Sequence, residues 1–328
     1  MNNNELIHRC ELLVQNRKAI QKAFKWENDA MLLAGSSFYV GMNLEADTNR
    51  LKFCEDVLKR KTGIFSAYRG NTKMPILCKM ATKENPEQYF AEIDEIVHQM
   101  KDIKWINNDY KILSAMTLRD HTEMDNIPEC LHEMLRLYEG MKKNHPWLTE
   151  GEDVPFAALL VTSGMDVEML LAEMERCYQE LGKKFRNKNA VQSLSHVLAV
   201  NPVDTTEKCQ RVEDIFNQLK EQKHKYPSGF ELAVLGTLAM LNVPTETLVE
   251  EIIEADDFLK KQERFGTFNV GAEKRRMYAA LMVMDTHMPP ADTAHESLVN
   301  SVLALVIAME VCVLILMTTT ATTIVTAN

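Results

Sequence analysis

Apolar positions recur with a helical period along most of this chain. In the segment 166–184, Met174, Tyr178 and Leu181 share one face of a predicted helix, because residues at i, i+4 and i+7 are neighbours on a helical surface. A polar, basic link follows, and a shorter and more apolar helix is predicted at 190–200. Such a pair of helices cannot bury its own apolar face, so the pattern predicts neighbours of the same kind.

The same arrangement recurs with a spacing of about 40 residues, which is typical of helical-pair repeats. Long helices are predicted at 4–24 and 48–60, and short apolar ones at 29–39 and 74–80. Four regularly spaced long helices then carry the i, i+4, i+7 face: Ile93/Val97/Met100, Met134/Tyr138/Met141, Met174/Tyr178/Leu181 and Val212/Phe216/Leu219. Short apolar segments follow them at 112–116, 156–161, 194–200 and 234–240.

A further long helix is predicted at 245–261, before an apolar helix at 277–284. Ile252 and Leu259 keep the apolar face there, but Asp256 occupies its middle position, which indicates a modified end unit. Most prolines fall just before or in the first turn of a predicted helix, where the missing N–H has no partner to lose. We therefore predict an all-α fold: an array of roughly six or seven helix pairs, solenoid-like or closed, in one continuous domain over residues 1–297.

The stretch Leu298–Met317 is almost wholly apolar and leads into a Thr-rich tail. Its length is close to the roughly 20 residues that span a bilayer. Glu310 lies near its middle, however, and no Lys or Arg follows Arg276, so the charges that orient a membrane span are missing. We expect segment 298–328 to contain a helix packed on the domain, with a membrane anchor as the alternative.

Composition narrows the class of protein further. Glycine (12) and proline (10) are scarce while Leu, Met, Ala, Glu and Lys are abundant, which favours helix. The net charge of −10 argues against general nucleic-acid binding. Seven dispersed cysteines without a C-x-x-C pair indicate reduced thiols in a cytoplasmic protein. The first residues lack the basic and apolar regions of a secretory signal.

Candidate metal motifs are weak. Two E-x-x-H pairs, Glu95/His98 and Glu129/His132, have the spacing used in di-metal helical bundles, but the apolar helix predicted between them supplies no further ligand. Solvated helix faces explain these pairs better. Asp256–Asp257 is similar to the start of an aspartate-rich magnesium motif, but Lys260 replaces the third carboxylate, so we interpret the pair as a charged helix surface.

The sequence gives equally little support for a catalytic nucleophile or a binding loop. Ser193, Ser195 and His196 cluster in sequence, but adjacent helical residues point in different directions, so His196 is expected to pack or cap. Thr149 and Glu152 have capping-box spacing before an apolar helix, which we prefer to a binding loop that exposes Trp147. The sequence contains no P-loop, G-x-G-x-x-G or H-E-x-x-H motif. We expect no catalytic residue, metal ligand or cofactor.

Residues in the middle of the chain carry a family resemblance. They are His145-Pro146-Trp147-Leu148-Thr149 with Asp153, the apolar run 157–161, the Met174/Tyr178/Leu181 helix, and Leu194-Ser195-His196 with Leu198-Ala199. In these motifs the chain resembles an uncharacterised bacterial family, the domain-of-unknown-function family numbered four thousand and three. The resemblance runs nearly end to end and implies no activity, cofactor or catalytic residue.

The predicted long helices begin with acidic residues and end with basic ones. This distribution stabilises each helix by itself, because the charges complement the helix dipole by about 0.3–1 kcal/mol each. If the long helices run in the same direction, their basic ends also form one positive edge that attracts an acidic partner through a salt-screened field. The residues predicted near the middle of this basic edge are Lys143, Lys184, Arg186 and Lys223.

Three functions follow as hypotheses. A non-enzymatic interaction or scaffold protein of the cytoplasm is favoured, because stacked helix pairs create an extended surface and no catalytic motif is present. An enzyme or small-ligand-binding protein is the second, since polar groups from several repeats need only converge in space. A membrane-associated protein, attached through residues 298–328, is the third.

Overall fold

The computed structural model describes residues 3–266 and 269–287, and within these ranges the chain is helical with no strand. Seven amphipathic helices, called here the long helices, alternate with seven more deeply buried companion helices. The long helices are α1 (Asn3–Ala23), α3 (Thr48–Lys61), α5 (Pro86–Gln99), α7 (Ile127–Asn144), α9 (Val167–Leu181), α11 (Thr205–Glu221) and α13 (Thr245–Lys260). The companion helices are α2 (Asp29–Val40), α4 (Lys73–Thr82), α6 (Asn108–His121), α8 (Val154–Val161), α10 (Lys188–Ala199), α12 (Leu232–Leu238) and α14 (Ala272–His287).

The all-α prediction is confirmed, and the helix starts have a local cause. The acidic residues Asp47, Asp166 and Asp204 are the N-caps of α3, α9 and α11. Each side chain accepts hydrogen bonds from two backbone N–H groups of the first turn, which would otherwise have no partner. The acidic starts of the long helices therefore serve capping as well as the helix dipole.

The start of α8 differs by one residue from the prediction. A capping box forms between Glu150 and Asp153, one residue further along the chain than the predicted pair Thr149 and Glu152. The Glu150 N–H donates to Asp153 Oδ2 at 2.9 Å. This box caps the 3₁₀ turn Gly151–Asp153, which directly precedes α8.

The predicted apolar face is correct at its ends, and its middle residue is correct in α7, where Tyr138 is buried, but wrong in α5, α9 and α11. In α9, Met174 and Leu181 are buried, but the fully buried residue between them is Cys177, at i+3. Tyr178, at i+4, is only half-buried, as is Phe216 in α11. The buried stripe of a long helix is thus i, i+3, i+7, and the i+4 side chain lies at the edge of that stripe.

Contacts divide the described chain into two compact units. The first unit contains residues 3–12, 139–148, 163–266 and 269–287, and the second contains residues 13–138 and 149–162. In the first unit α9 packs on α10 and α11, α11 on α12 and α13, and α13 on α14, while α12 also packs on α10 and α14. In the second unit α3 packs on α4 and α5, α5 on α4 and α6, α2 on α4, and α6 on α8.

Neighbouring long helices of the first unit run in the same direction. Glu173, in the first half of α9, accepts hydrogen bonds from Thr205 and Lys208 at the start of α11, both at 2.7 Å. Lys184, just beyond the end of α9, forms an ion pair at 2.7 Å with Glu213, further along α11. Contacts that advance together along both helices require a parallel arrangement.

Neighbouring long helices of the second unit also run in the same direction. The Asn16 side chain of α1 hydrogen-bonds to the backbone of Leu44 and Ala46, before α3, at 3.0 and 2.7 Å. Further along, the ammonium group of Lys52 in α3 lies 4.6 Å from the ring centre of Phe24, at the end of α1. The second half of α1 and α3 are therefore parallel.

The helix α5 continues this direction. Arg50, near the start of α3, donates to the carbonyl oxygens of Lys83 and Glu84 before α5, at 2.6 and 2.8 Å. Arg60, near the end of α3, forms an ion pair at 2.7 Å with Glu87 inside α5. The two contacts advance together along both helices, so α3 and α5 are parallel.

One contact recurs between successive long helices, and we call it the end joint. A side chain just beyond one long helix contacts the i+4 side chain of the next, about 32 residues later. Trp105 stacks on Tyr138 in the second unit, with ring centres 4.6 Å apart. In the first unit the rings of His145 and Tyr178 lie 4.2 Å apart and those of Phe185 and Phe216 lie 5.2 Å apart. The last joint of this unit is polar, with the Nδ1 atom of His224 at 3.3 Å from a carboxylate oxygen of Asp256.

The predicted apolar segment Leu298–Met317 lies outside the described residues. Among the helices that the structure describes, none is both long enough and apolar enough to cross a bilayer.

Candidate functional site

A pocket in the first unit brings several family-motif residues together. It lies between the end of α7, the middle of α9 and the middle of α10, and its polar lining includes His145, Glu175, Ser195 and His196. Met141, Leu171 and Met174 supply apolar walls. The empty space is about 240 Å³ when open solvent is included, and its enclosed part has room for about one water molecule.

His145 is held by two neighbours on α9. Its Nε2 lies 2.8 Å from Glu175 Oε2, and its ring lies against Tyr178 through the end joint. Burial raises the pKa of Tyr178, and the negative charge of Glu175 adds to this effect. The hydrogen bond to a carboxylate fixes the orientation of the imidazole, as in sites where a histidine binds or transfers a proton.

His196 is a buried neutral imidazole. Its side chain is 2% exposed, so the prediction that it packs inside the protein is confirmed. Burial, with a smaller contribution from nearby His145, lowers the pKa of His196 to about 3. At physiological pH the pocket therefore contains one neutral buried histidine beside the His145–Glu175 pair.

Ser195 does not form a nucleophile–base pair with its sequence neighbour. Its hydroxyl donates to the carbonyl oxygen of Gln192, one turn earlier in α10, at 2.7 Å. A hydroxyl engaged with its own helix backbone is not activated by a base. The pocket thus offers hydrogen-bonding groups for a small polar molecule rather than an assembled acyl-transfer site.

The four predicted basic-edge residues are all in the first unit and all exposed. Lys143 lies in the last turn of α7, Lys184 and Arg186 follow α9, and Lys223 follows α11. The ion pair with Glu213 raises the pKa of Lys184. Lys223 adopts a left-handed backbone conformation, with φ of 64°, at the point where α11 ends. Each residue therefore lies at the C-terminal end of a long helix.

The E-x-x-H pairs lie on exposed surfaces. Glu95 and His98 of α5 and Glu129 and His132 of α7 are all solvent-exposed. In the part of the chain that the structure describes, no group of three or more His, Cys, Asp and Glu residues is placed to hold a metal ion.

The interpretation of Asp256–Asp257 as a charged surface is wrong for Asp256. This carboxylate is 1% exposed and lies 2.6 Å from Arg275 Nε, 3.3 Å from Arg276 Nε and 3.3 Å from His224 Nδ1. Arg275, itself buried, also donates to the Phe265 carbonyl oxygen at 3.1 Å. A buried charge with several partners fixes the packing of α11, α13 and α14, because any other arrangement would leave it without compensation.

The sequence patterns do not predict Glu175 as a pocket residue or the convergence of His145 with His196. The offset between parallel helices brings residues 30 positions apart into contact, and spacing within one helix carries no signal of this. The end joint provides such a signal in the sequence. After each of three successive long helices comes an aromatic or histidine residue, and the next long helix carries an aromatic residue at its i+4 position. Trp147, beside His145, is 91% exposed and takes no part in the pocket.

Comparisons with known proteins agree with the resemblance seen in the sequence. The model of a family described as "Protein of unknown function (DUF4003)" matches residues 16–311. A relative from Bacillus subtilis (strain 168), named "Uncharacterized protein YeaA", is 25% identical over 256 residues, which cover 74% of this chain and 77% of the relative. No solved structure matches the chain.

The buried neutral His196 predicts a specific pH dependence of stability. Between its pKa in the unfolded chain, about 6.5, and its folded pKa of about 3, only the unfolded chain binds a proton at this position. The free energy of unfolding should therefore fall as the pH falls through this window, with a contribution of up to about 1.4 kcal/mol per pH unit. His196→Gln should remove that contribution, which urea unfolding at several pH values would measure.

The matched control is His132→Gln, since the His132 side chain is 76% exposed. Only the slope of the free energy of unfolding against pH is compared, because His196→Gln also changes core packing and so shifts the free energy at every pH. Equal slopes in the wild type and the His196 variant would contradict the assignment.

Proposed function

The chain belongs to the DUF4003 family, and because that family is described as one of unknown function, we propose a function from the helix packing. We propose that the protein is a non-enzymatic interaction or scaffold module of the cytoplasm that binds an acidic protein partner. The six cysteines within the described ranges are free thiols, five of them buried, in keeping with a reducing compartment.

The proposal includes a repeat architecture. Within each unit, long helices pack on long helices and companion helices pack on companion helices, and end joints occur in both units. We propose that these pairs are repeats of one array in a single continuous domain over residues 1–297. Arrays of this kind present long uninterrupted surfaces, which suit the binding of other proteins.

The observation that carries the function is the parallel direction of α9 and α11. Parallel neighbours place their C-terminal ends at one edge, where basic side chains complement the negative ends of the helix dipoles and gather in one place. Lys143, Lys184, Arg186 and Lys223 lie exposed at such ends. In a chain of net charge −10, a local positive edge gives an acidic partner a preferred place to bind.

Charge reversal tests this proposal. The variant Lys143→Glu, Lys184→Gln, Arg186→Glu, Lys223→Glu uses Gln at position 184 so that no carboxylate faces Glu213. Partners are captured from native lysate with the full chain as bait and identified, and each is then titrated against the purified variant. We expect binding to weaken at least about tenfold, and to weaken with salt in the wild type, because the contacts are between exposed charges.

The control variant changes the net charge by the same amount as the first variant, but at residues outside the basic edge. Four exposed bases outside the basic edge serve for this: Lys18→Glu, Lys22→Glu, Lys61→Glu and Arg176→Gln, with Gln at position 176 so that no carboxylate faces Glu173. If both variants lose binding to the same extent, net charge rather than the basic edge explains the effect. Unchanged binding in the first variant means that the bases serve only the helix ends.

The pocket at His145, Glu175 and His196 supports a second candidate, a binding protein for a small polar molecule. Three titratable groups converge there, which the interaction function does not require. A thermal-shift screen with amino acids, sugars and polyols should find a compound that raises Tm in the wild type. Glu175→Gln should abolish that shift, while Glu180→Gln, which alters the exposed pair with Lys183, should preserve it. A screen without any shift would remove this candidate.

A further inference from the structure

Exposed aromatic side chains follow three successive long helices of the second unit. Trp26 follows α1 and is 99% exposed, Phe65 follows α3 and is 96% exposed, and Trp105 follows α5 and is 52% exposed. Their spacing of about 40 residues is that of the helix pairs. Single exposed apolar residues are ordinary, but an exposed aromatic ring within six residues of the end of each of three consecutive long helices is a pattern.

The three helix ends that these side chains follow lie at one edge of the unit. The second half of α1 is parallel to α3, and α3 is parallel to α5, as the contacts of Asn16, Arg50 and Arg60 require. Packed helix axes lie about 8–10 Å apart, so the C-terminal ends of three neighbouring parallel helices form a short row. We call this row, Trp26, Phe65 and Trp105 with the bases beside them, the aromatic edge.

The aromatic edge is strongly basic. The segments 22–27, 59–65 and 101–105 contain seven Lys and Arg residues and two acidic residues. Lys22, Lys25, Lys61, Lys101 and Lys104 are all exposed. Lys59 and Arg60 are also exposed but form ion pairs with Glu55 and Glu87.

Helix stability explains the bases but not the rings. Lysines complement the negative end of a helix dipole. A tryptophan that is 99% exposed contributes no packing, and its large apolar surface is unfavourable in water. The rings therefore indicate a surface that is buried when something binds to it.

We propose that the aromatic edge docks on an anionic lipid surface. Side chains that project from the surface need a partner into which they can insert, and a fluid bilayer interface accepts them without preformed pockets. Tryptophan favours the headgroup region of a bilayer, and phenylalanine and tryptophan beside lysine are typical of segments that lie in this interface. The basic residues are attracted to anionic headgroups within about a Debye length.

This proposal goes beyond the scaffold function and involves a different surface. The basic edge of the first unit has exposed charges for an acidic protein, while the aromatic edge adds apolar groups that an electrostatic contact alone would not need. Because the two surfaces use different residues, each can fail without the other.

Tryptophan fluorescence of the full chain tests docking directly. The chain has three tryptophans, so Trp105→Phe with Trp147→Phe leaves Trp26 as the sole reporter and keeps a ring at position 105. Vesicles of equal parts phosphatidylglycerol and phosphatidylcholine should shift Trp26 emission to shorter wavelength, and high salt should weaken the effect. Vesicles of phosphatidylcholine alone should leave the emission unchanged.

Co-sedimentation with the same vesicles tests the side chains themselves. Trp26→Ala with Phe65→Ala should weaken binding at least about tenfold, since two insertable rings are lost. Both residues are almost fully exposed, so this variant keeps the fold, whereas Trp105 stacks on Tyr138 and is left in place. Phe53→Ala is the matched control, because Phe53 is an exposed ring inside α3, roughly 12 Å along the helix axis from its end.

Three outcomes would overturn the proposal. Equal binding to both kinds of vesicle would mean that charge plays no part. Undiminished binding of the double variant would assign membrane association to another part of the chain. If vesicles leave Trp26 emission unchanged while polyglutamate shifts it, the aromatic edge serves an acidic protein instead.

Discussion

The end joint is the contact on which the rest of the structure depends. Each joint ties the residue beyond one long helix to the i+4 residue of the next, and so fixes the offset between parallel neighbours at about 32 residues. Contact between rings suits this role because it combines burial of apolar area with a defined geometry. With the offset fixed, the C-terminal ends of neighbouring helices fall at one edge, and residues of different helices meet in the pocket.

Buried charges add specificity to the same interfaces. Lys208 is 1% exposed, and its ammonium group is paired with Glu173 and donates to the Asn201 carbonyl oxygen at 2.8 Å. Burial by itself would raise the pKa of Glu173, but hydrogen bonds from Lys208, Thr205 and Arg176 lower it to about 2. Asp256 is likewise a buried charge with several partners, and it fixes the packing of α11, α13 and α14. A slipped register would leave these groups buried without partners, at a cost of about 3–5 kcal/mol.

The all-helical class and the individual helices could be predicted from the sequence because their signals are local. The helix bounds follow from apolar periodicity, prolines and N-caps such as Asp166, and these act within a few residues. The site could not be predicted in the same way. His145 and His196 were visible in the sequence, but their proximity depends on the offset between α7 and α9 and on the packing of α10. Asp256 was misassigned because an acidic residue on a helix gives no sign of an arginine 19 positions later that neutralises it.

A double-mutant cycle across one end joint tests this account most directly. Phe185→Ala, Phe216→Ala and the double variant would be compared by the free energy of unfolding. We predict a coupling energy of about 0.5–1.5 kcal/mol between the two rings. Met169 with Phe216 is the control pair, because Met169 lies in the first turn of α9, far from the joint, and its coupling should be near zero. A Phe185–Phe216 coupling no larger than that of the control would contradict the claim that the joint holds neighbouring long helices in register.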